Sequence, residues 1–245
     1  MDLHRFYLPP ASWGDEVILD KDQSHHLSTV LRLHLGSEAV LLDGKGRSGR
    51  FEVTSKANRA VRLRRIEETF VPKPDSLAVM AIALSHAVRS GFFFEKAVEL
   101  GADTIWLWRA DYSQGKLAPN VPTALERRLQ AGAKQCGNPW IPEIANVKDV
   151  DGVVAACAPD DRLLLPWESQ EGIPLLTPDM AGRPGRTVYV VGPEGGFSPR
   201  ELETLQKKGF TPFSLGTRVL RCETAAMLCL GLHWWASHLP RKGGS

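Results

Sequence analysis

The sequence predicts an α/β protein of two unlike regions, a small β-barrel followed by a mostly parallel α/β sheet. Three observations carry this. Short strand patterns crowd the first seventy or so residues. A proline-rich break, Phe70-Val71-Pro72-Lys73-Pro74-Asp75-Ser76, then fixes an extended, helix-hostile segment. Beyond it, strand and helix patterns alternate, as in βαβ units. The expected boundary puts residues 1–72 in the first domain and 73–245 in the second.

In the first region, Val17-Ile18-Leu19 reads as a strand, and residues 22–33 as a helix with Leu27, Val30 and Leu31 at helical spacing. Ala39–Asp43, Gly49–Ser55 and Ala60–Ile66 read as strands, with turns at Gly44-Lys45-Gly46 and Ala57-Asn58. Strands this dense suggest a small barrel. In the second region, Leu77–Leu84 is a nearly continuous apolar strand, as expected where both sheet faces are covered. Residues 92–100 read as a helix, Thr104–Trp108 as a strand and Pro122–Cys136 as a helix. Arg162–Pro166 and Thr187–Val191 follow as strands, Pro199–Lys208 as a helix and Thr211–Leu215 as a strand. Thr224–Leu239 is the last helix, apolar on most sides and read as core or as a dimer face.

Composition excludes several classes. The 245 residues carry 30 Lys+Arg against 28 Asp+Glu, are 43% hydrophobic, and suit a packed soluble protein rather than a disordered chain. No apolar run approaches the roughly 18 residues of a membrane span, and Met1–Arg5 lacks the layout of a signal peptide. Cys136, Cys157, Cys222 and Cys229 have no C-x-x-C spacing, so reduced, structural thiols in a cytoplasmic protein are expected. His25 and His26 are adjacent on a helix, point apart, and find no third ligand, so no metal is expected.

The near-neutral total hides a local excess. Residues 44–65 hold Lys45, Arg47, Arg50, Lys56, Arg59, Arg62, Arg64 and Arg65 against Glu52 alone, an excess of +7 on one hairpin. The plain alternative is a solvated strand face. So concentrated a charge suits nucleic-acid phosphates through Coulomb attraction and counterion release.

Two loops carry the chemistry. Val190-Val191-Gly192-Pro193-Glu194-Gly195-Gly196-Phe197 runs from a strand through a glycine-rich turn into Ser198-Pro199-Arg200-Glu201, a capping-box pattern with proline at the first helical position. Such turns lie where open α/β sheets bind ligands. The spacing is neither G-x-G-x-x-G nor a P-loop. Leu215-Gly216-Thr217-Arg218-Val219-Leu220-Arg221-Cys222-Glu223-Thr224-Ala225 is the second loop. Its two arginines offer forked donors to a phosphate or base carbonyl. Thr224 is the candidate cap of the last helix.

Together the loops resemble the paired motif of the SPOUT methyltransferases, and more narrowly the bacterial ribosomal RNA small subunit methyltransferase E family, which methylates uridine N3 in 16S rRNA. Arg5-Phe6-Tyr7, His26 with Val30-Leu31-Arg32, Lys96-Ala97-x-Glu99-Leu100-Gly101, Gln135-Cys136-Gly137 and Pro142 fit the same family. The resemblance implies an N-terminal PUA-like, RNA-holding barrel and a C-terminal α/β domain with a deep trefoil knot. It also implies S-adenosylmethionine as cofactor, 16S rRNA or the 30S subunit as partner, and a homodimer. Leu165, Pro166, Gly192, Pro193, Glu194, Gly195, Gly196, Leu215, Gly216, Val219, Leu220, Thr224 and Ala225 are the implied cofactor positions. Arg221 and Arg218 are the expected catalytic cations, with Glu223 or Glu194 orienting an arginine or taking the N3 proton. Arg5, Arg32, Lys45, Arg47, Arg50, Arg62 and Arg64 are the expected RNA contacts.

The middle of the chain departs from the family pattern. His86 stands where lysine is usual, Gly91 near a usual acid, Lys134 where an acid is common and Asn138 where arginine follows the Gln-x-Gly triplet. A usual Glu-Arg pair is replaced around Ala110-Asp111-Tyr112. These charges could form one RNA-facing or dimer-facing network that changed together. Methyl transfer is therefore a firmer expectation than the exact nucleotide. The competing reading is a SPOUT-fold RNA-binding or ribosome-assembly protein, or a methyltransferase of another nucleotide.

Overall fold

The structure, a computed structural model, describes residues 3–57, 60–85, 88, 91–114, 117–167 and 172–240. Asn58, Arg59 and His86, singled out in the sequence, lie outside the described residues. The chain divides into two compact units, Met1–Lys73 with Gln130–Ile141, and Pro74–Leu129 with Pro142–Ser245.

The first unit is a five-stranded sheet of β1 (Arg5–Tyr7), β2 (Glu16–Ile18), β3 (Glu38–Leu42), β4 (Arg47–Ala57) and β5 (Ala60–Phe70), in the order β1-β3-β4-β5-β2. Phe6, Leu8, Val17, Leu27, Leu41, Phe51 and Leu63 fill its core. The strand β5 runs four residues beyond the expected Ile66, because its pairing with β4 continues to Arg47 opposite Phe70. Phe70 is therefore ladder, not linker. Trp140 accounts for the return of Gln130–Ile141 to this unit. Its ring meets Phe70 edge-on at 6.1 Å, and its indole N–H donates to the Val71 carbonyl at 2.8 Å.

The expected helix over 22–33 is shorter. Helix α1 (Lys21–His25) is capped by Asp20, whose carboxylate accepts from Gln23 N–H. It passes into a π turn, His26–Val30. The wider turn shifts the register, so Leu27 stays buried while Val30 swings into solvent. The chain then leaves through Arg32 at φ +53°, the one non-glycine residue with positive φ among the described residues.

The second unit is built on six parallel strands: β6 (Ser76–Ala83), β7 (Ala102–Trp108), β8 (Glu143–Val147), β9 (Arg162–Pro166), β10 (Gly185–Val191) and β11 (Thr211–Phe213). Their order is β11-β9-β10-β6-β7-β8. Strands β6 and β10 lie centrally and are buried almost throughout, which explains their unbroken apolar runs. The helices are α2 (Phe92–Glu99), α3 (Thr123–Cys136, whose residues from Gln130 on belong to the first unit), α4 (Val150–Ala156), α5 (Pro178–Ala181), α6 (Pro199–Lys208) and α7 (Cys222–Ser237). Strand β8 and helices α4 and α5 carry too little apolar periodicity to be read from sequence. No helix of the described residues is long and apolar enough to cross a membrane.

Helix α7 starts two residues earlier than expected, so Thr224 is not its cap. Arg221 holds that position, without a side-chain cap bond. Cys222, Ala226, Cys229, Leu230, His233 and Ala236 form its buried stripe. Trp234 and Trp235 are each 49% exposed and so are not core. Cys136 is exposed, unlike the other three cysteines.

A buried polar chain pins α7 to the sheet. Ser76 Oγ donates to the Arg183 carbonyl at 2.8 Å and lies 3.1 Å from His233 Nε2, while Tyr189 Oη lies 3.1 Å from His233 Nδ1. With its proton committed, Ser76 accepts from Nε2–H, and Nδ1 accepts the tyrosine proton. Every member is satisfied only if His233 is neutral, and burial pushes its pKa down to about 4. The unfolded chain takes up the proton near pH 6.5, before the folded one does. Stability is therefore complete above that pH and falls as pH drops from about 6.5 to about 4, by about 3 kcal/mol in full. Urea unfolding near pH 7 and near pH 5 is expected to show about 2 kcal/mol of this loss in the wild type and a smaller one in His233→Gln.

Candidate functional site

The carboxyl ends of β9, β10 and β11 open on one cavity of about 400 Å³. It lies where open α/β sheets place ligands. Pro166 and Trp167 contribute from the end of β9, Val191 to Phe197 (without Gly195) from the turn after β10, and Leu215 to Cys222 (without Thr217) from the loop after β11. Leu202 and Ala225 complete it. Residues far apart in sequence meet because parallel strands emit all their following loops at one edge.

Most of the residues expected at a cofactor line this cavity: Pro166, Gly192, Pro193, Glu194, Gly196, Leu215, Gly216, Val219, Leu220 and Ala225, together with Arg218 and Arg221. Leu165, Gly195, Glu223 and Thr224 are not among its lining residues. Leu165 points into the hydrophobic core, where it is almost fully buried. Gly195 makes room for another residue: a Cβ there would come within 3.1 Å of the Tyr112 Cβ. Gly192 likewise admits the Phe197 ring, which a Cβ would meet at 3.0 Å. Gly196 has φ +75°, a conformation that costs any side chain strain.

The apolar floor was not legible from motifs. Trp108, Phe197 and Trp167 form a ladder of nearly parallel rings, with centroids 6.1 and 6.4 Å apart and interplanar angles of 16° and 14°. Phe197 and Trp167 face the cavity. No local pattern in the sequence marks these rings as facing a cavity.

Arg218 and Arg221 are exposed, and neither guanidinium has a side-chain partner among the described residues. Cys222 lies behind them. Its thiol is 3.2 Å from Ser85 Oγ, 3.4 Å from Glu223 Oε2 and 3.9 Å from Glu194 Oε1. Burial first, and the two carboxylates after it, push its pKa up to about 11. It stays protonated, with its one proton available to the nearer carboxylate of Glu223, and is not a nucleophile.

A hydrogen-bonded ring fixes the loop after β10. Ser198 caps α6 in a capping box with Glu201, as the sequence predicts. Glu201 is fully buried; one oxygen accepts Ser198 N–H and the other accepts Asp111 N–H, each at 2.8 Å. Ser198 Oγ in turn donates to Asp111 Oδ2 at 2.6 Å. This bond comes first among the causes that lower the Asp111 pKa, ahead of the Arg200 guanidinium. The segment Ala110-Asp111-Tyr112 is thus tied to the glycine-rich loop.

The basic hairpin reads differently in three dimensions. Arg47 pairs with Asp43 at 2.7 Å, Arg50 with Glu38 and Glu67 at 2.9 and 3.0 Å, and Arg64 with Glu52 at 2.8 Å. Arg65 pairs with Asp15 and Glu68. Five of these six acids lie outside residues 44–65, so the +7 is largely cancelled in place. The exposed pairs among these are worth about 0–1 kcal/mol and can exchange for phosphates, whereas Asp43 is buried and holds Arg47 in place. Lys56 and Arg62 are exposed on the hairpin, Arg32 is exposed beyond the π turn, and Arg5 sits half-buried on β1 beside Gly137. Lys45 is exposed at the turn before β4. Among the described residues no group of three or more His, Cys, Asp or Glu is placed to hold a metal.

A family model for the RNA methyltransferase domain matches residues 72–234, and one for the RNA methyltransferase PUA domain matches residues 19–64. A Mycobacterium bovis protein named ribosomal RNA small subunit methyltransferase E is 31% identical over 227 residues, covering 89% of this chain and 86% of its own. The chain belongs to the ribosomal RNA small subunit methyltransferase E family. A Legionella pneumophila protein described as a methyltransferase, solved with bound cofactor S-adenosylmethionine, is similar in structure with a TM-score of 0.82 at 25% identity, over 96% of this chain and 98% of that one. A Neisseria gonorrhoeae ribosomal RNA small subunit methyltransferase E bound to S-adenosylmethionine shares the fold, with a TM-score of 0.78 at 23% identity over 94% and 95% of the two chains.

Ser198→Ala removes the cap of α6 and the donor to Asp111 together. It is expected to cost about 2 kcal/mol, the upper end for a lost cap, read as a lower urea midpoint with an unchanged slope.

Proposed function

We propose that this chain transfers a methyl group from S-adenosylmethionine to N3 of a uridine in 16S rRNA. The observation that carries the reading is the cavity itself. It joins both motif loops, one carboxylate and two uncommitted arginines around one space. Its volume of about 400 Å³ suits a small organic ligand. Its walls combine a ring-shaped apolar floor with glycine-rich backbone, which fits an adenine and a methionine tail, and Glu194 offers a carboxylate to a cationic ligand.

Bound S-adenosylmethionine supplies an activated sulfonium methyl. The protein's own task is therefore to hold uracil N3 in line and to favour its anion, because the neutral imide is a poor nucleophile. Arg221 and Arg218 are placed at the cavity to face a uracil oxygen, or a neighbouring phosphate, with donors free. Glu194 lines the same space and is the better placed of the two acids to take the N3 proton, directly or through water. Glu223 sits behind it, against the Cys222 thiol, as a positioning group. The thiol lies between the two acids and keeps its own proton.

The rest of the reading follows from family membership: a cytoplasmic enzyme, a knotted path through the cofactor loops, and a homodimer. The half-exposed Trp234 and Trp235, with Leu228 on the same helix, supply an apolar surface suited to a second copy. The 30S subunit is the RNA partner in this reading.

Two outcomes test it. Mass spectrometry of 16S rRNA from a strain lacking the gene is expected to show loss of N3-methyluridine, and an unchanged signal overturns the function. Arg221→Ala is expected to lower kcat about 100-fold or more while calorimetry finds S-adenosylmethionine affinity within about twofold. Near-normal turnover removes Arg221 from its role.

A further inference from the structure

Reaching N3 requires the target base to leave its stack in the RNA, which costs a few kcal/mol unless a new stacking partner replaces the lost one. Four aromatic side chains of the second unit are strongly exposed among the described residues: Phe92, Tyr112, Trp234 and Trp235. Lys96 already sits over the Phe92 ring at 5.6 Å. Trp234 and Trp235 lie twelve and thirteen residues along α7 from Cys222, about 18–20 Å away at the helical rise. Tyr112 alone stands beside the glycine-rich loop.

We propose that Tyr112 is a base-stacking, substrate-positioning residue for the RNA, holding the extruded uracil or its immediate neighbour outside the cavity mouth. Its backbone is not free to wander. The preceding residue, Asp111, donates its N–H to the buried Glu201 at 2.8 Å and accepts from Ser198 Oγ at 2.6 Å. Its Cβ packs on Gly195, between two residues that line the cavity, Glu194 and Gly196. The result is a side chain 52% exposed on a rigid mount, one residue outside the wall. A ring presented in this way gains from a base face whatever the base, and leaves edge recognition to Arg218, Arg221 and Glu194. The same mount explains why Gly195 is glycine although it does not line the cavity.

The inference rests on the methyltransferase reading, and the test separates the two. Unmethylated 30S subunits from the deletion strain serve as substrate for wild type, Tyr112→Phe and Tyr112→Ala. Tyr112→Ala is expected to raise KM for the subunit about 10-fold, Tyr112→Phe to stay within about twofold of wild type, and S-adenosylmethionine affinity by calorimetry to be equal in all three. If wild type itself transfers no methyl group, the functional reading fails and the stacking role falls with it. If wild type is active and Tyr112→Ala keeps its KM, the stacking role alone is wrong. A weakened cofactor affinity in Tyr112→Ala would make the ring a prop for the glycine-rich loop, and a changed sedimentation coefficient would make it a subunit contact. Either result overturns the proposal.

Discussion

Glu201 is a carboxylate with no exposure to water, and that constraint organises the site. A buried charge must be satisfied or it destabilises the fold by several kcal/mol. Both oxygens of Glu201 accept backbone N–H groups, one from its own helix cap and one from the turn after β7. A motif that would otherwise only start a helix therefore fastens two loops together. Because Ser198 also bonds Asp111, the ring closes on itself and the glycine-rich turn has little freedom to shift. The aromatic floor depends on the same anchoring, since Phe197 is the residue just before the cap and stacks between Trp108 and Trp167.

Charge shows how position in space alters a reading made along the chain. The excess in residues 44–65 is real in sequence, yet the sheet brings Glu38, Asp43, Glu67 and Glu68 alongside the arginines that produce it. The cations left without partners at the cavity among the described residues, Arg218 and Arg221, come from a segment whose sequence charge is unremarkable. A guanidinium that is already paired must give up a partner to bind phosphate, whereas an unpaired one gives up only water. The hairpin and the cavity mouth are thus two different kinds of positive surface.

Much of the architecture was legible beforehand. The long apolar strands at β6 and β10, helix α6 with its capping box, and the two ligand loops follow from periodicity and turn chemistry, which are local. Helix α1 failed at the π turn, where one extra residue per turn breaks the expected spacing. The start of α7 failed because Thr224 is a good cap by type, while the chain bends three residues earlier at Arg221. Strand β8 and helix α4 are short and weakly patterned, so only pairing and packing define them. Within the site, the glycines and arginines were visible in the motif. Trp167, Phe197, Leu202 and Cys222 were not, since nothing local marks an apolar residue as facing a cavity.

By itself the sequence determined the strongly patterned elements, the edge of the sheet from which both loops leave, and the residue types able to grip a ligand there. Those depend on backbone sterics and hydrophobic period, which act over a few residues. The tertiary structure alone decided which of those residues share one cavity, which arginines remain unpaired among the described residues, and that Asp111 and Tyr112 are tied to the glycine-rich loop. These outcomes are set by contacts between segments up to about a hundred residues apart, fixed by the order of strands in the sheet and by the need to satisfy each buried polar group.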